Sequence, residues 1–241
     1  TTDEPDALRE NPPILSEEID YLLDYFNRYA TGKASRTDVS ATFVGQRPLL
    51  QVALDAAMAS DTKSLVRDHE VEVDGRSKLV SIMGGKWTTY RAMAEAVMQA
   101  LVDAQDLPIA DRPAHTEQHR LHGYVTNASA MGIQQAPGLH LLGSEATQVA
   151  ELPGHDQVLG LGLTESLVRH SARHEWAITV EDMLARRWRV LFLDARLAQQ
   201  MAPRVADILQ DETGIDPQLD AFLSLSEQYI LKNTETSRES S

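Results

Sequence analysis

Lys86 stands in a corner of small and hydroxyl residues, Gly84-Gly85-Lys86-Trp87-Thr88-Thr89. Before it runs a strand-like apolar stretch (Leu79, Val80, Ile82, Met83), and after it a helix-like one (Met93, Ala94, Val97, Leu101). A strand that turns through glycines into a helix leaves the first N–H groups of that helix without intrahelical partners, backed by the positive end of the helix dipole. Anions and electron-rich oxygens settle there. Gly84 and Gly85 admit a ligand close to the backbone, Lys86 adds a full charge, and Thr88 or Thr89 can cap the helix and donate to a ligand. By themselves the same residues also describe a tight turn, an ordinary cap and a lysine in solvent. Two phosphate motifs are excluded. A P-loop needs Gly and Ser or Thr where this chain has Val80 and Trp87. The nearest dinucleotide fingerprint, Gly160-Leu161-Gly162-Leu163-Thr164-Glu165, puts an acid where it would repel a pyrophosphate.

A second cation is pinned by its neighbours. In Phe43-Val44-Gly45-Gln46-Arg47-Pro48 the residue before proline is held extended, so Arg47 is fixed at a strand end. A fixed guanidinium there suits a carboxylate or phosphate, and a surface salt bridge in an acidic protein is the alternative. His115, His119 and His122 are spaced i, i+4, i+7, and His170 and His174 are spaced i, i+4; either set binds a metal only if helical. Neither has the Glu directly after its first His that the zinc-peptidase pattern requires, so no metal is expected. Asn127-Ala128-Ser129 matches a glycosylation acceptor, which carries little weight without a secretory signal.

Several elements must hold these groups in place. Ser16-Glu17-Glu18, with Ile19, Leu22, Leu23, Phe26 and Tyr29, predicts a capped amphipathic helix, and Val39 to Val44 predicts a strand. A loop over Ala53 to Lys63 leads into a hairpin, Val66 to Val73 and Leu79 to Met83, turning at Asp74-Gly75-Arg76-Ser77. Composition shifts at Leu107-Pro108 through Pro113, and the remainder reads as helical. Val180, Met183, Leu184, Trp188, Leu191 and Phe192 form one stripe; Leu197, Met201, Val205, Ile208 and Leu209 form another; Pro217 to Leu231 is a last helix. The 42% hydrophobic content of the 241 residues supports a substantial core, and no apolar run is long enough to span a bilayer. A net charge of -14 argues against a nucleic-acid partner. With no cysteine, a disulfide framework, a thiolate nucleophile and a sulfur-ligated zinc site are excluded, which fits the cytoplasm.

Taken together, Gly45-Gln46-Arg47-Pro48-Leu49, Arg67-Asp68-His69 and Gly84-Gly85-Lys86-Trp87-Thr88-Thr89-Tyr90-Arg91 resemble the FAD-dependent (aerobic) glycerol-3-phosphate dehydrogenases. So do Thr179-Val180-Glu181-Asp182-Met183-Leu184-Ala185-Arg186-Arg187 and Leu191-Phe192-Leu193-Asp194-Ala195-Arg196, which look like that family's C-terminal helical domain. The resemblance runs from Thr1 to about Leu231 in the family's order. Members are longer and begin with a glycine box for the ADP half of FAD that this sequence lacks, so it is expected to be the C-terminal half of an enzyme. Ala114 to Tyr124 departs from the family's Gly-rich linker.

The resemblance implies an α+β fold. Residues 1–106 would be a partial mixed-sheet segment of the FAD and substrate domain, 107–234 an all-α C-terminal domain and 235–241 a disordered tail. It implies that Gly84, Gly85, Lys86, Trp87, Thr88 and Thr89 close over the pyrimidine end of the flavin, where a helix N-terminus stabilises negative charge on the reduced ring. Arg47 and Lys86 would hold glycerol phosphate and polarise its C2 oxygen. Hydride would pass from C2 to flavin N5, giving dihydroxyacetone phosphate, with electrons going on to quinone and the general base in the missing half. A cytoplasmic enzyme peripheral to the cytoplasmic membrane, possible as a homodimer and inactive as this piece alone, completes the expectation. The competing reading is a helical interaction or oligomerisation module with no catalytic role.

Overall fold

The computed structural model describes residue 9 and residues 12–46, 69–105, 115–126 and 135–232. Its elements in chain order are α1 (Ser16–Tyr29), β1 (His69–Val73), β2 (Val80–Gly84), α2 (Tyr90–Gln105), α3 (Ala146–Ala150), β3 (Val158–Gly160), β4 (Leu163–Thr164), α4 (Glu165–His174), α5 (Val190–Leu193), α6 (Ala195–Thr213) and α7 (Leu219–Ser226). This is the expected α+β chain with a helical C-terminal part. It divides into two compact units, Thr1–Pro12 with Gly45–Arg120, and Pro13–Val44 with Leu121–Ser241. The expected boundary at 106/107 and the tail 235–241 lie outside the described residues, as do Arg47, Ala53 to Lys63 and Asn127 to Ser129.

In the first unit β1 and β2 form an antiparallel hairpin in the register His69↔Gly84, Val71↔Ile82, Val73↔Val80. Its turn is set by Asp74, whose Oδ1 accepts the Ser77 N–H at 2.6 Å, the Arg76 N–H at 3.1 Å and the Ser77 hydroxyl at 2.7 Å. These bonds replace the ladder that the strand ends lose. His69, Val71 and Val73 turn to the half-buried side and Glu70 and Glu72 to solvent. Met93, Ala96, Val97 and Leu101 supply the half-buried stripe of α2, and none of the residues from 69 to 104 is fully buried.

The second unit holds the core. Leu167 and Val168 of α4, Met201, Val205, Ile208 and Leu209 of α6, and Phe222 of α7 are buried together with Leu163, Val180, Met183, Leu184 and Leu191. Each such aliphatic side chain contributes roughly 1.5–3 kcal/mol by leaving water. Asp194 caps α6 by accepting the Leu197 N–H at 2.9 Å, and Gly214 closes it at φ 68. Thr164 caps α4 through the Leu167 N–H.

Three expectations are corrected here. Val39 to Val44 is extended but is not a strand. Its groups bond to helix termini instead, with the Thr42 N–H donating to the Tyr229 carbonyl at 2.8 Å and the Ser40 carbonyl accepting the Ala195 N–H at 3.2 Å. The stripe from Val180 to Phe192 is not one helix, because a π-helix over Asp182–Arg187 ends at Arg189, whose φ of 58 breaks the spiral before α5. The last helix is also shorter, running Leu219–Ser226 with a 3₁₀ turn at Glu227–Tyr229.

Glu212 of α6 fastens α4 to the core. Arg173 grips it twice, at 2.6 and 2.8 Å, and Arg169 once, at 2.8 Å. The Arg173 hydrogen bonds hold the Glu212 carboxyl below its ordinary value against the opposing pull of burial, with Arg169 adding to the effect. A value lower in the folded than in the unfolded state gives stability that is complete above the unfolded value and is lost as pH falls through the folded one. The urea midpoint is therefore expected to fall as pH drops below the ordinary glutamate value of 4.5. Glu212→Gln should cost about 1–3 kcal/mol at neutral pH and less in acid, as pH falls through the lowered folded value and Glu212 itself takes up a proton. Equal losses at neutral and acid pH would contradict this.

Candidate functional site

The corner at the end of β2 is built by backbone sign. Gly84 has φ 70 and Gly85 φ 84, a region open to glycine and costly for other residues. A Cβ on Gly85 would stand 2.6 Å from Met93 Sδ and 3.3 Å from His69 Cβ, so α2 and β1 both close against this residue. Lys86 follows in extended conformation (φ -126, ψ 147), and Trp87–Thr89 make a 3₁₀ turn that runs directly into α2.

Thr89, of the two threonines, closes the turn. Its Oγ1 donates to the Lys86 carbonyl at 3.0 Å and accepts the Lys86 N–H at 3.4 Å. Lys86, Trp87 and Thr88 are exposed, and Trp87 extremely so, at 90%. The first N–H groups of this turn have no carbonyl four residues back, and the helix dipole lies behind them. Of the site expected from sequence, Gly84, Lys86, Trp87, Thr88 and Thr89 are exposed and Gly85 is half-buried.

The other candidates have different fates. Gly160-Leu161-Gly162 is a turn joining β3 to β4, with Leu161 at φ 44 and Gly162 at φ 75. Trp188 Nε1 donates to the Leu161 carbonyl at 2.8 Å, so the segment is fastened to the helical unit. His115, His119 and His122 do not share a helix, since only Thr116–Gln118 is wound, as a 3₁₀ turn. His170 and His174 are one turn apart on α4 with ring centroids 4.9 Å apart. Among the described residues no group of three or more His, Cys, Asp or Glu could hold a metal ion. Spacing also missed one grouping: His122 and His170, far apart in sequence, both face the Glu145 carboxylate.

The Val180-Glu181-Asp182 to Arg187 block is a structural knot. The Asp182 carboxylate accepts the Ile178 and Thr179 N–H groups at 3.2 and 3.0 Å, and Thr179 Oγ1 accepts the Asp182 N–H at 3.0 Å. Burial pushes the Asp182 carboxyl up, but the Thr179 and Ile178 hydrogen bonds and Arg187 outweigh it, and the net direction is down. Arg187 Nε donates to the Glu175 carbonyl at 3.1 Å.

Comparison with known proteins bears on the whole chain. Residues 75–219 match the family model of the C-terminal domain of alpha-glycerophosphate oxidase. The chain is 33% identical to a mitochondrial glycerol-3-phosphate dehydrogenase of Arabidopsis thaliana, over 88% of this chain and 38% of that protein. It is 31% identical to a mitochondrial glycerol-3-phosphate dehydrogenase of Bos taurus, over 90% of this chain and 32% of the relative. The same named enzyme of Homo sapiens is 30% identical over the same shares. The chain thus spans about a third of the length of these relatives.

The corner geometry is testable apart from any ligand. Gly85→Ala forces a Cβ onto φ 84 and toward Met93, a cost of about 1–2 kcal/mol for the left-handed backbone. Hydrogen exchange should report it as roughly a tenfold loss of protection in the α2 amides. Gly75→Ala, which meets no atom within 4 Å, is the control and should leave them nearly unchanged. Equal behaviour of the two variants would contradict the constraint.

Proposed function

Because the chain belongs to the family of the C-terminal domain of alpha-glycerophosphate oxidase, we propose that it is the C-terminal part of an FAD-dependent glycerol-3-phosphate dehydrogenase. The enzyme oxidises sn-glycerol 3-phosphate to dihydroxyacetone phosphate and passes electrons to quinone. The observation that carries this is the exposed Gly84–Thr89 corner, which combines a backbone stripped of Cβ atoms, a helix N-terminus and a lysine on one surface. In this proposal the hairpin and α2 belong to a flavin and substrate domain, and the helical unit is a separate domain.

When bound, the flavin supplies the hydride acceptor. This chain's residues provide binding and charge. Gly84 and Gly85 let the ring approach the backbone. The first amides of the Trp87–Thr89 turn and the dipole of α2 favour the electron-rich end of the reduced ring. Lys86 polarises the substrate C2 oxygen as negative charge develops there. Arg47, beyond the described residues, takes the phosphate, for which a guanidinium supplies paired donors. The general base comes from the part of the enzyme that this chain lacks.

A position at a membrane surface accompanies the proposal, cytoplasmic by the sequence argument, whereas the matched relatives are named mitochondrial. Among the described residues no helix is long and apolar enough to cross a membrane. The unit carrying the corner has no fully buried described residue, which supports its need for additional chain to complete a flavin site.

Two measurements test the proposal. The purified 241-residue chain should show neither tight FAD binding by absorbance nor glycerol 3-phosphate oxidation, and full activity would refute its standing as a partial site. In the intact enzyme, Lys86→Ala and Arg47→Ala should each lower kcat/KM by at least about tenfold, the scale of one charge-assisted hydrogen bond. The first should act mainly on kcat and the second mainly on KM. Arg186→Ala, which removes the ion pairs with Glu181 at 2.7 Å and Asp182 at 3.3 Å on the helical unit, should leave the kinetics unchanged. Wild-type kinetics in both cation variants would return Lys86 to solvent and Arg47 to a surface ion pair.

A further inference from the structure

The helical unit holds on to a piece of chain about 150 residues away from it in sequence. Residues 39–44 are extended, and positions 40 to 43 are all spent on attachment. The Ser40 carbonyl accepts the Ala195 N–H at 3.2 Å, at the first residue of α6. The Thr42 N–H and hydroxyl both donate to the Tyr229 carbonyl, at 2.8 and 3.3 Å. Ala41, between them, packs on the core. Phe43 then sets its ring edge-on to Phe192 at 5.0 Å. Phe192 in turn meets Tyr229 at 5.6 Å and carries the Arg189 guanidinium 5.4 Å from its centroid.

The hydrogen bonds satisfy helix ends, but the ring contact does something else. Phe43 is 57% exposed, so it adds little to the core. Its edge-to-face contact restrains the chain at the last residues before Gly45-Gln46-Arg47-Pro48.

We propose that the helical unit is a positioning device for the substrate phosphate: through Phe43 and Phe192 it fixes the root of the segment that presents Arg47. This rests on the reading of Arg47 as the ligand of that phosphate. Arg47, outside the described residues, follows Val44 by three residues, so covalent geometry keeps the two Cα atoms within roughly 11 Å of one another. An anchored root leaves less chain freedom to be lost when a guanidinium closes on an oxyanion. The phosphate keeps the same charge while hydride leaves C2, so its grip is equal in the ground and transition states. Anchorage therefore lowers KM and leaves kcat alone. Phe43 and Phe192 are positioning residues, acting through Arg47 and not on the reacting atoms.

Phe43→Ala tests this, because it removes an exposed ring and leaves the buried core intact. In the 241-residue chain the Thr42 amide should be protected from hydrogen exchange, and Phe43→Ala should lower that protection about two- to tenfold, the scale of one aromatic pair. In the intact enzyme Phe43→Ala and Phe192→Ala should each raise KM for glycerol 3-phosphate by a similar factor, with kcat and flavin content unchanged. Phe43→Tyr, which keeps the ring, should retain the original KM. In an Arg47→Ala background Phe43→Ala should add nothing, because the group it positions is gone. Three results would each overturn the proposal while leaving Arg47 as the phosphate ligand: an unprotected Thr42 amide, an unchanged KM in Phe43→Ala beside a raised one in Arg47→Ala, or full additivity of those two changes. Wild-type KM in Arg47→Ala would overturn that reading and this one with it. If Phe192→Ala fails to fold by circular dichroism, Phe43→Ala decides alone.

Discussion

The sign of φ at Gly84 and Gly85 is the constraint on which the site depends. Two consecutive left-handed residues, at 70 and 84, end β2 and lead the chain through Lys86 and the Trp87–Thr89 turn into α2. A side chain at Gly85 would collide with Met93, so the same absence of a Cβ that permits the turn also lets α2 lie against the hairpin. The helix N-terminus is thereby aimed at the surface on which Lys86 stands. Hydrogen bonding at Thr89 fixes the first turn, and Trp87 is left outside it. Position, charge and dipole at this corner follow from one local choice of backbone.

The two units answer opposite physical demands. The helical unit closes on itself, with α4 and α6 burying aliphatic side chains between them and ion pairs such as Arg204 with Glu165 tying their outer faces at 2.6 Å. Its polar interior is correspondingly sparse. The hairpin unit buries no described residue fully and exposes Leu79, Ile82, Met83 and Trp87. A surface of that kind is matched to company, whether further strands or a flat ring, and in the proposal it receives both.

How much of this was legible in the sequence depended on whether the signal was local. The hairpin was readable because Asp74 and Ser77 make the turn from within it, and the span of α2 because Met93, Val97 and Leu101 repeat at helical spacing. The corner itself was readable from its two glycines, although not which threonine would cap it. Val39 to Val44 misled because extended backbone needs a partner strand to be a strand, and here the Tyr229 carbonyl is the partner. The stripe from Val180 to Phe192 misled because its periodicity survives a π turn and a left-handed Arg189 that pattern cannot register. The β3–β4 ribbon hid inside a glycine pattern considered only as a nucleotide loop, and the sharing of Glu145 by His122 and His170 arises from tertiary packing alone.

The account stands on the claim that Gly84–Thr89 forms one wall of a flavin site. A crystal structure of the intact enzyme with its flavin bound tests that most directly. The account predicts that the ring's pyrimidine edge lies in van der Waals contact with the backbone at Gly84 and Gly85, within hydrogen-bond reach of the first amides of the Trp87–Thr89 turn. A flavin bound elsewhere, with this corner facing solvent, would contradict it and leave the glycines, the lysine and the threonines as a turn and a cap.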